Sequence, residues 1–402
     1  MNLEIFMKRV KNIWESFLIN SIKSRKKENN WRTRNSIQMK SSTKIIFKNQ
    51  EYISFSGNDY LGLSFNEDVK NAWKAGINQY GNGSSSSGHI VGYSEVHRTL
   101  EEKLSQWLGY QEALLFSSGY MANQSIVFSL MKKRDSIFAD KMSHASFTEA
   151  SMLSQANFKR FAHNCISSLH LLLKNHSGKK NLVFTEGVFS MDGDFASLKL
   201  IHEESKNHNA YLMVDDAHGI GLFGEEGRGS CNVFQIHPEI LMIGFGKSFG
   251  ICGAAILCSS KMKNYLLNYS RSLIYSTMMP PSQAVALLES LRQIKRSNNL
   301  RKKLKINVEF FKKMTKDSQV SFLSNFSESG IQPIIVGDNQ KCLELSKFLF
   351  QNNIWVQAIR PPTVPFGTSR LRIVITANHT FDEIKKLVYS LRDFFDQNEY
   401  KK

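Results

Sequence analysis

Six short apolar runs punctuate residues 56–290: EALLFSS, DSIFAD, NLVFTEG, AYLMVDD, EILMIGFG and GAAILCSS. Each has the length of a strand, is apolar at consecutive positions, and stops at turn residues or a polar group. Longer stretches with helical spacing separate them. A strand that is apolar at every position has to be covered on both sides. The pattern therefore predicts an α/β fold with a mostly parallel central sheet and helices on both faces. Residues 1–55 read as a basic, mostly helical segment that closes in the strand-like EYISFS, and 56–290 as the large domain. Residues 291–402 read as a smaller C-terminal α/β domain, with strands in IQPIIVGD, IWVQAI and SRLRIVIT.

In an open parallel sheet, ligands bind beyond the carboxyl ends of the strands. Those ends carry unusual chemistry here. AYLMV runs into Asp215-Asp216-Ala217-His218, and NLVF into TEGVFSMDGD with Ser190. EALLF opens into SSGYMAN, a Ser-Gly turn at a helix start, while DSIFAD leads to His144 and EILMI to GFGK with Lys247. Taken singly, each has a duller role. A strand-end histidine usually satisfies a local hydrogen bond, and Asp215 could cap the next helix. Asp-Asp-x-His could ligate a metal, but no second cluster with ligand spacing accompanies it, and no metal is expected.

Two glycine motifs are decoys. Gly246-Lys247-Ser248 ends like a phosphate-binding loop, but that motif needs glycine at 241, where Leu241 stands, and a helix directly after the lysine. GIGLFG (219–224) matches G-x-G-x-x-G, yet DDAH separates it from its strand, and no acidic residue closes the next one. Together the strand-end groups suit pyridoxal 5'-phosphate instead. A lysine amine can hold its aldehyde, an aspartate can pair with its ring nitrogen, histidine can stack on or bond the ring, and helix-start N–H groups can take its phosphate.

The net charge of +17 is high, but the basic residues are dispersed apart from KSRKK (23–27) and RKKLK (301–305). That dispersal argues against a nucleic-acid surface and leaves two readings, attraction of an anionic substrate or carrier and charge spread over solvated faces. Five cysteines form no CxxC pair, which speaks against zinc and against a disulfide framework and suits a cytoplasmic protein. The first residues carry charges inside their apolar stretch, unlike a signal peptide, and no run is long enough to span a bilayer.

The chain resembles the α-oxoamine synthases, acyltransferases among the fold-type I pyridoxal phosphate enzymes, over about residues 30–390. The motifs that carry the resemblance include NDYLGLS, SGYMANQ, SHAS, RFAHN, TEGVFSMDGD, LMVDDAHG, FGKSFG, IYSTMMPPSQA, IQPIIVGDN and AIRPPTVPFGTSRLRI. The last two point to the branch that condenses L-alanine with a pimeloyl thioester, of coenzyme A or acyl carrier protein, in biotin synthesis. Sister synthases that use glycine are the nearest alternative.

The resemblance implies roles. Lys247 binds the cofactor covalently and moves the Cα proton, Asp215 pairs with the ring nitrogen, and His144 stacks on the ring and meets the substrate. His218 and Ser190 contact the ring oxygen. Gly119 and Tyr120 form the phosphate turn, with position 244 beside it. Thr277 reaches the phosphate in a second subunit, which implies a homodimer with shared sites. Arg372 clamps the amino-acid carboxylate, and Arg32 and Thr363 contact the acyl substrate. Two departures stand out: Gly244 replaces a usual Thr or Ser, and Ser85 and Ser86 stand where relatives tend to have glycine.

Overall fold

The computed structural model describes residues 3–318, 320 and 326–397. Seven strands form the central sheet: β1 (Glu112–Phe116), β2 (Ser136–Asp140), β3 (Asn157–Phe161), β4 (Asn181–Glu186), β5 (Tyr211–Asp215), β6 (Ile240–Gly244) and β7 (Ala254–Cys258). Their order is β1-β7-β6-β5-β4-β2-β3. The expected parallel core is present, with β6, β5, β4, β2 and β3 parallel in turn. β7 runs antiparallel to both β1 and β6. The cause is chain length: only residues 245–253 join β6 to β7, too few for the crossover that a parallel neighbour requires.

Alternate residues of each strand enter different apolar clusters. Leu212, Val214, Leu241 and Ile243 join one, while Met213, Ile240 and Met242 join the other. This is the period-2 alternation of a sheet with both faces covered, and it explains why the strands read as continuous apolar runs. β3 has no such run, because NFKRF lies at the sheet edge and only Phe161 is buried.

Beyond the central sheet, Pro281–Arg296 and Asn298–Asp317 are helices leading to a three-stranded antiparallel sheet of Ile331–Gly337, Ser369–Val374 and Ala358–Ile359. The N-terminal segment forms a helix, Leu3–Lys27, followed by strands Gln38–Met39, Lys44–Phe47 and Gln50–Ser54. The last of these pairs in parallel with Ile354–Trp355, so the N-terminal strands are built onto the C-terminal part of the chain. IWVQAI accordingly divides between two sheets. Among the described residues, no helix is long and apolar enough to cross a membrane.

Candidate active site

The carboxyl ends of β1, β4, β5 and β6 surround a cleft of about 390 Å³, lined among others by Gly119, Tyr120, Asn123, His144, Glu186, Asp215, His218, Gly244 and Lys247. Seven residues proposed from sequence thus meet here although they come from separate segments.

Asp215 ends β5 with its side chain in the cleft, while Asp216 points to the opposite side and accepts from Ser230 N (2.8 Å) and Ser230 Oγ (2.6 Å). That second aspartate is structural. It sits so close to Gly229 (φ +89°) that a Cβ there would lie 1.9 Å from its Oδ2. Asp215 is 6% exposed, and each of its oxygens accepts one hydrogen bond, Oδ2 from Asn123 Nδ2 (2.8 Å) and Oδ1 from Ala217 N (3.0 Å). Asn123 also donates to Ser146 Oγ (3.0 Å), whose hydroxyl lies 2.8 Å from His144 Nδ1. The carboxylate and the histidine are therefore held through one amide. Asn123 was not singled out from sequence. The available signal was a polar residue one turn after Gly119 in a helix of largely apolar sequence.

Lys247 lies in the loop after β6. The loop closes with Gly250 N donating to the Lys247 carbonyl (3.0 Å), and Ser290 Oγ donating to the Phe249 carbonyl (2.7 Å). Burial pushes the Lys247 ammonium down to about 8, and the Arg372 charge adds to this, while the Asp215 charge opposes it. An amine poised near neutrality is a nucleophile and a base in one group.

His218 is buried, and its Nδ1 lies 2.7 Å from the Tyr60 hydroxyl. Burial pushes the Tyr60 phenol up to about 12 and holds His218 well below its ordinary value, helped by the Lys247 and Arg372 charges. With the ring neutral and the phenol protonated, Tyr60 can donate to Nδ1 at 2.7 Å, a better contact than its 3.4 Å approach to Asn58 Oδ1, and in that tautomer Nε2 carries the N–H. Ser118 caps the helix Gly119–Leu130 by accepting from Met121 N (3.2 Å). The remaining N–H groups of the first turn, near the head of the cleft, suit an anion.

Other proposed residues stand at the margin. Arg372 is 7% exposed and donates from Nε to the Ser190 carbonyl (2.5 Å) and from Nη1 to Asn58 Oδ1 (3.0 Å), and Asn58 lines the cleft. Arg32 and Thr363, 331 positions apart, are joined by Arg32 Nη2 donating to Thr363 Oγ1 (2.8 Å), away from the cleft lining. Thr277 is exposed and also lies outside that lining, bridged to Ser87. Ser85 adopts φ +55°, the left-handed region, where a side chain costs about 1 kcal/mol. Ser86 does not. Of the two serines, Ser85 is therefore the one that bears strain, in a loop pinned by Met278 N donating to the Ser86 carbonyl (2.9 Å).

A half-buried lysine, a hydrogen-bonded aspartate, a neutral histidine and an anion-ready helix start fit an aldehyde cofactor with an anionic tail. Two buried atoms in the cleft, Asn123 Oδ1 and Glu186 Oε1, have no hydrogen-bond partner among the described residues.

The sequence profile of the aminotransferase class I and II family matches residues 50–391. The chain belongs to that family. Within the aminotransferase class I and II relatives, 8-amino-7-oxononanoate synthase of Pectobacterium atrosepticum is 45% identical over 375 residues, covering 93% of this chain and 97% of that protein. Among solved structures, a serine palmitoyltransferase variant from S. paucimobilis with bound PLP and myriocin superposes with a TM-score of 0.89 at 27% identity, covering 96% of this chain and 98% of that one. The 8-amino-7-oxononanoate synthase from Francisella tularensis gives a TM-score of 0.76 at 32% identity, over 87% of this chain and 99% of that one.

Proposed function

We propose that the chain is an acyltransferase that condenses L-alanine with a pimeloyl thioester, releasing CO2 and the free thiol carrier and forming 8-amino-7-oxononanoate. The observation that carries this reading is the 45% identity, across 93% of the chain, to a synthase of that name. The cleft built on Lys247 and Asp215 supports it. The cofactor is pyridoxal 5'-phosphate, which supplies an aldehyde that captures the amino group and an electron-poor ring that stabilises negative charge at Cα.

The chain's own groups supply the rest. Asp215 is a carboxylate fixed by two donors and keeps the ring nitrogen protonated. The Nε2–H of His218 and the Ser190 hydroxyl would hold the cofactor's ring oxygen, and His144 would pack on the ring. The N–H groups of Gly119 and Tyr120, at the start of their helix, would take its phosphate. Arg372, steadied by Ser190 and Asn58, clamps the alanine carboxylate. Lys247, freed as an amine, removes the Cα proton. The carbon–carbon bond then forms at the thioester carbonyl as the thiolate leaves. The carboxylate departs as CO2, and Lys247 returns a proton to the carbon.

Exposed apolar side chains support a homodimer. Ile90 and Val91 are each 75% exposed, and Tyr275 is 70% exposed, near Thr277, which lies outside its own chain's cleft. Thr277 would reach the partner's phosphate site.

The deciding experiment is a visible spectrum of the purified protein before and after L-alanine and pimeloyl-CoA. Glycine with acetyl- or succinyl-CoA serves as the comparison, and turnover only with the glycine pair would replace this reading by a sister synthase. Arg25, Lys26 and Lys27 close the first helix, exposed and near Arg32 in sequence. If they steer the anionic acyl donor, its KM rises several-fold between about 0.02 and about 0.3 M salt while the KM for alanine stays flat. Equal behaviour of both constants would remove the steering role.

Gly244 gives a third test. A Cβ there would lie 3.1 Å from Ala217 Cβ, so Ala217 must yield by a few tenths of an ångström. A hydroxyl bonded to the phosphate contributes about 1.5–3 kcal/mol, against about 1 kcal/mol for the tighter packing. Gly244→Ser is expected to tighten the apoprotein's affinity for pyridoxal phosphate about threefold to tenfold by equilibrium titration. Unchanged affinity would mean that the phosphate lies out of reach of position 244.

A further inference from the structure

The cleft holds a second carboxyl that the reaction above leaves unused. Glu186 ends β4 and is the register partner of Asp215, which ends β5. Register partners on neighbouring parallel strands project to the same side of the sheet, and both acids line the cleft. Their surroundings differ. Asp215 has a donor on each oxygen. Glu186 is 3% exposed, receives one long hydrogen bond at Oε2 from Ser190 N (3.3 Å), has the His144 backbone N–H close to its carboxyl, and has no hydrogen-bond partner for Oε1 among the described residues.

Two carboxylates side by side do not both ionise in a buried site. Asp215 is the better supplied with donors, so the proton of the pair falls to Glu186. Burial, with the Asp215 charge adding to it, holds the Glu186 carboxyl well above its ordinary range, and Lys247 only partly opposes this. The other titratable group at this corner, His144, is itself held below its ordinary value by burial. Asp216 faces away, and Arg372 engages Ser190 and Asn58. A neutral carboxyl differs from a carboxylate in carrying an O–H donor. With Oε2 already accepting from Ser190 N, that proton belongs on Oε1, the atom without a partner.

We propose that Glu186 is a neutral acid whose Oε1–H donates to the ring oxygen of bound pyridoxal phosphate, beside Ser190, as a further donor to that oxygen. The assignment rests on the cofactor reading above. It does not follow from the motif TEGVFSMDGD, in which Ser190 alone was assigned; it follows from the β4–β5 register and the orphaned oxygen.

The test is a binding cycle on the apoprotein. Wild type, Glu186→Gln and Glu186→Ala are each titrated at pH 7 with pyridoxal 5'-phosphate and with its 3-deoxy analogue, which lacks the ring oxygen. Loss of a hydrogen bond to a charged acceptor predicts that the alanine variant binds pyridoxal phosphate about 10- to 100-fold more weakly. The same variant should bind the deoxy analogue within about threefold of wild type. Gln keeps a neutral N–H donor at that position and should recover most of the affinity. An equal loss with both ligands, a Gln variant as weak as Ala, or no loss in Ala would overturn the proposal.

Should the alanine variant fail to fold, shown by the melting of its apoprotein, wild type and Glu186→Gln still decide the matter. Wild-type affinity should fall more steeply with rising pH than that of Glu186→Gln, because ionising Glu186 turns a charge on the ring oxygen and glutamine has no such proton to lose. Parallel pH profiles would overturn the proposal. A folded wild type that takes up neither ligand would instead remove the cofactor reading on which it stands.

Discussion

Lys247→Ala should lose activity by about four orders of magnitude or more, together with the visible absorption that a lysine-bound aldehyde cofactor gives. Two functions disappear at once: covalent capture of the aldehyde, and transfer of the Cα proton, which as general-base catalysis alone is worth about 10²–10⁴-fold. The fold should survive, because Lys247 makes no ion pair among the described residues and its loop is closed by backbone and Ser290 contacts. Pyridoxal phosphate should still bind through the phosphate turn and Asp215, but reversibly, and should wash out on dialysis. A pH series on the wild-type apoprotein gives an independent reading. With the ammonium pushed down to about 8 by burial, the amine is mostly protonated at pH 7 and mostly free at pH 9. The rate of covalent cofactor capture should therefore rise across that interval and level off above it. A capture rate flat from pH 7 to 9, or an alanine variant that retains the band, would assign the covalent role to another residue.

The parts of this site that were legible in the sequence are those whose chemistry is local. The strand ends could be found because strands covered on both faces read as apolar runs, and because Asp215, His218 and Lys247 directly follow such runs. The edge strand Asn157–Phe161 was not legible, because one open flank lets NFKRF carry charged and polar residues. The reversal of β7 hinged on counting the short link after Gly244 rather than on the apolar pattern of GAAILCSS. Partners that act across space were the least visible. Tyr60 bonds His218 at a separation of 158 positions, and Asn58 meets Arg372 across 314. Glu186 gained meaning only from its register with Asp215. The two departures noted in sequence resolve differently on geometric grounds. Ser85 needs a positive φ and bears strain, whereas Gly244 needs none and lacks only a hydroxyl.

Asp215→Asn should lower kcat by about 10²–10³-fold while leaving a folded protein that still binds the cofactor. The size follows from removing one preorganised charge aimed at the site of charge development. Without an anion beside the ring nitrogen, the nitrogen loses its proton and the ring becomes a poorer electron sink. Hydrogen bonding adds a second, smaller penalty. Both Asp215 oxygens accept, from Asn123 Nδ2 and from Ala217 N, whereas an asparagine amide presents one acceptor and one donor group. Either Asn123 or Ala217 would then face a donor, loosening the link that runs through Ser146 to His144. The loss should appear early in the reaction. Exchange of the alanine Cα proton with deuterated solvent, measured without acyl donor, should slow in step with overall turnover, because proton removal is the step that most needs the electron sink. A variant whose exchange and turnover both stay within about threefold of wild type would show that the carboxylate does not face the ring nitrogen. Slow turnover with undiminished exchange would move the role of Asp215 to carbon–carbon bond formation or decarboxylation.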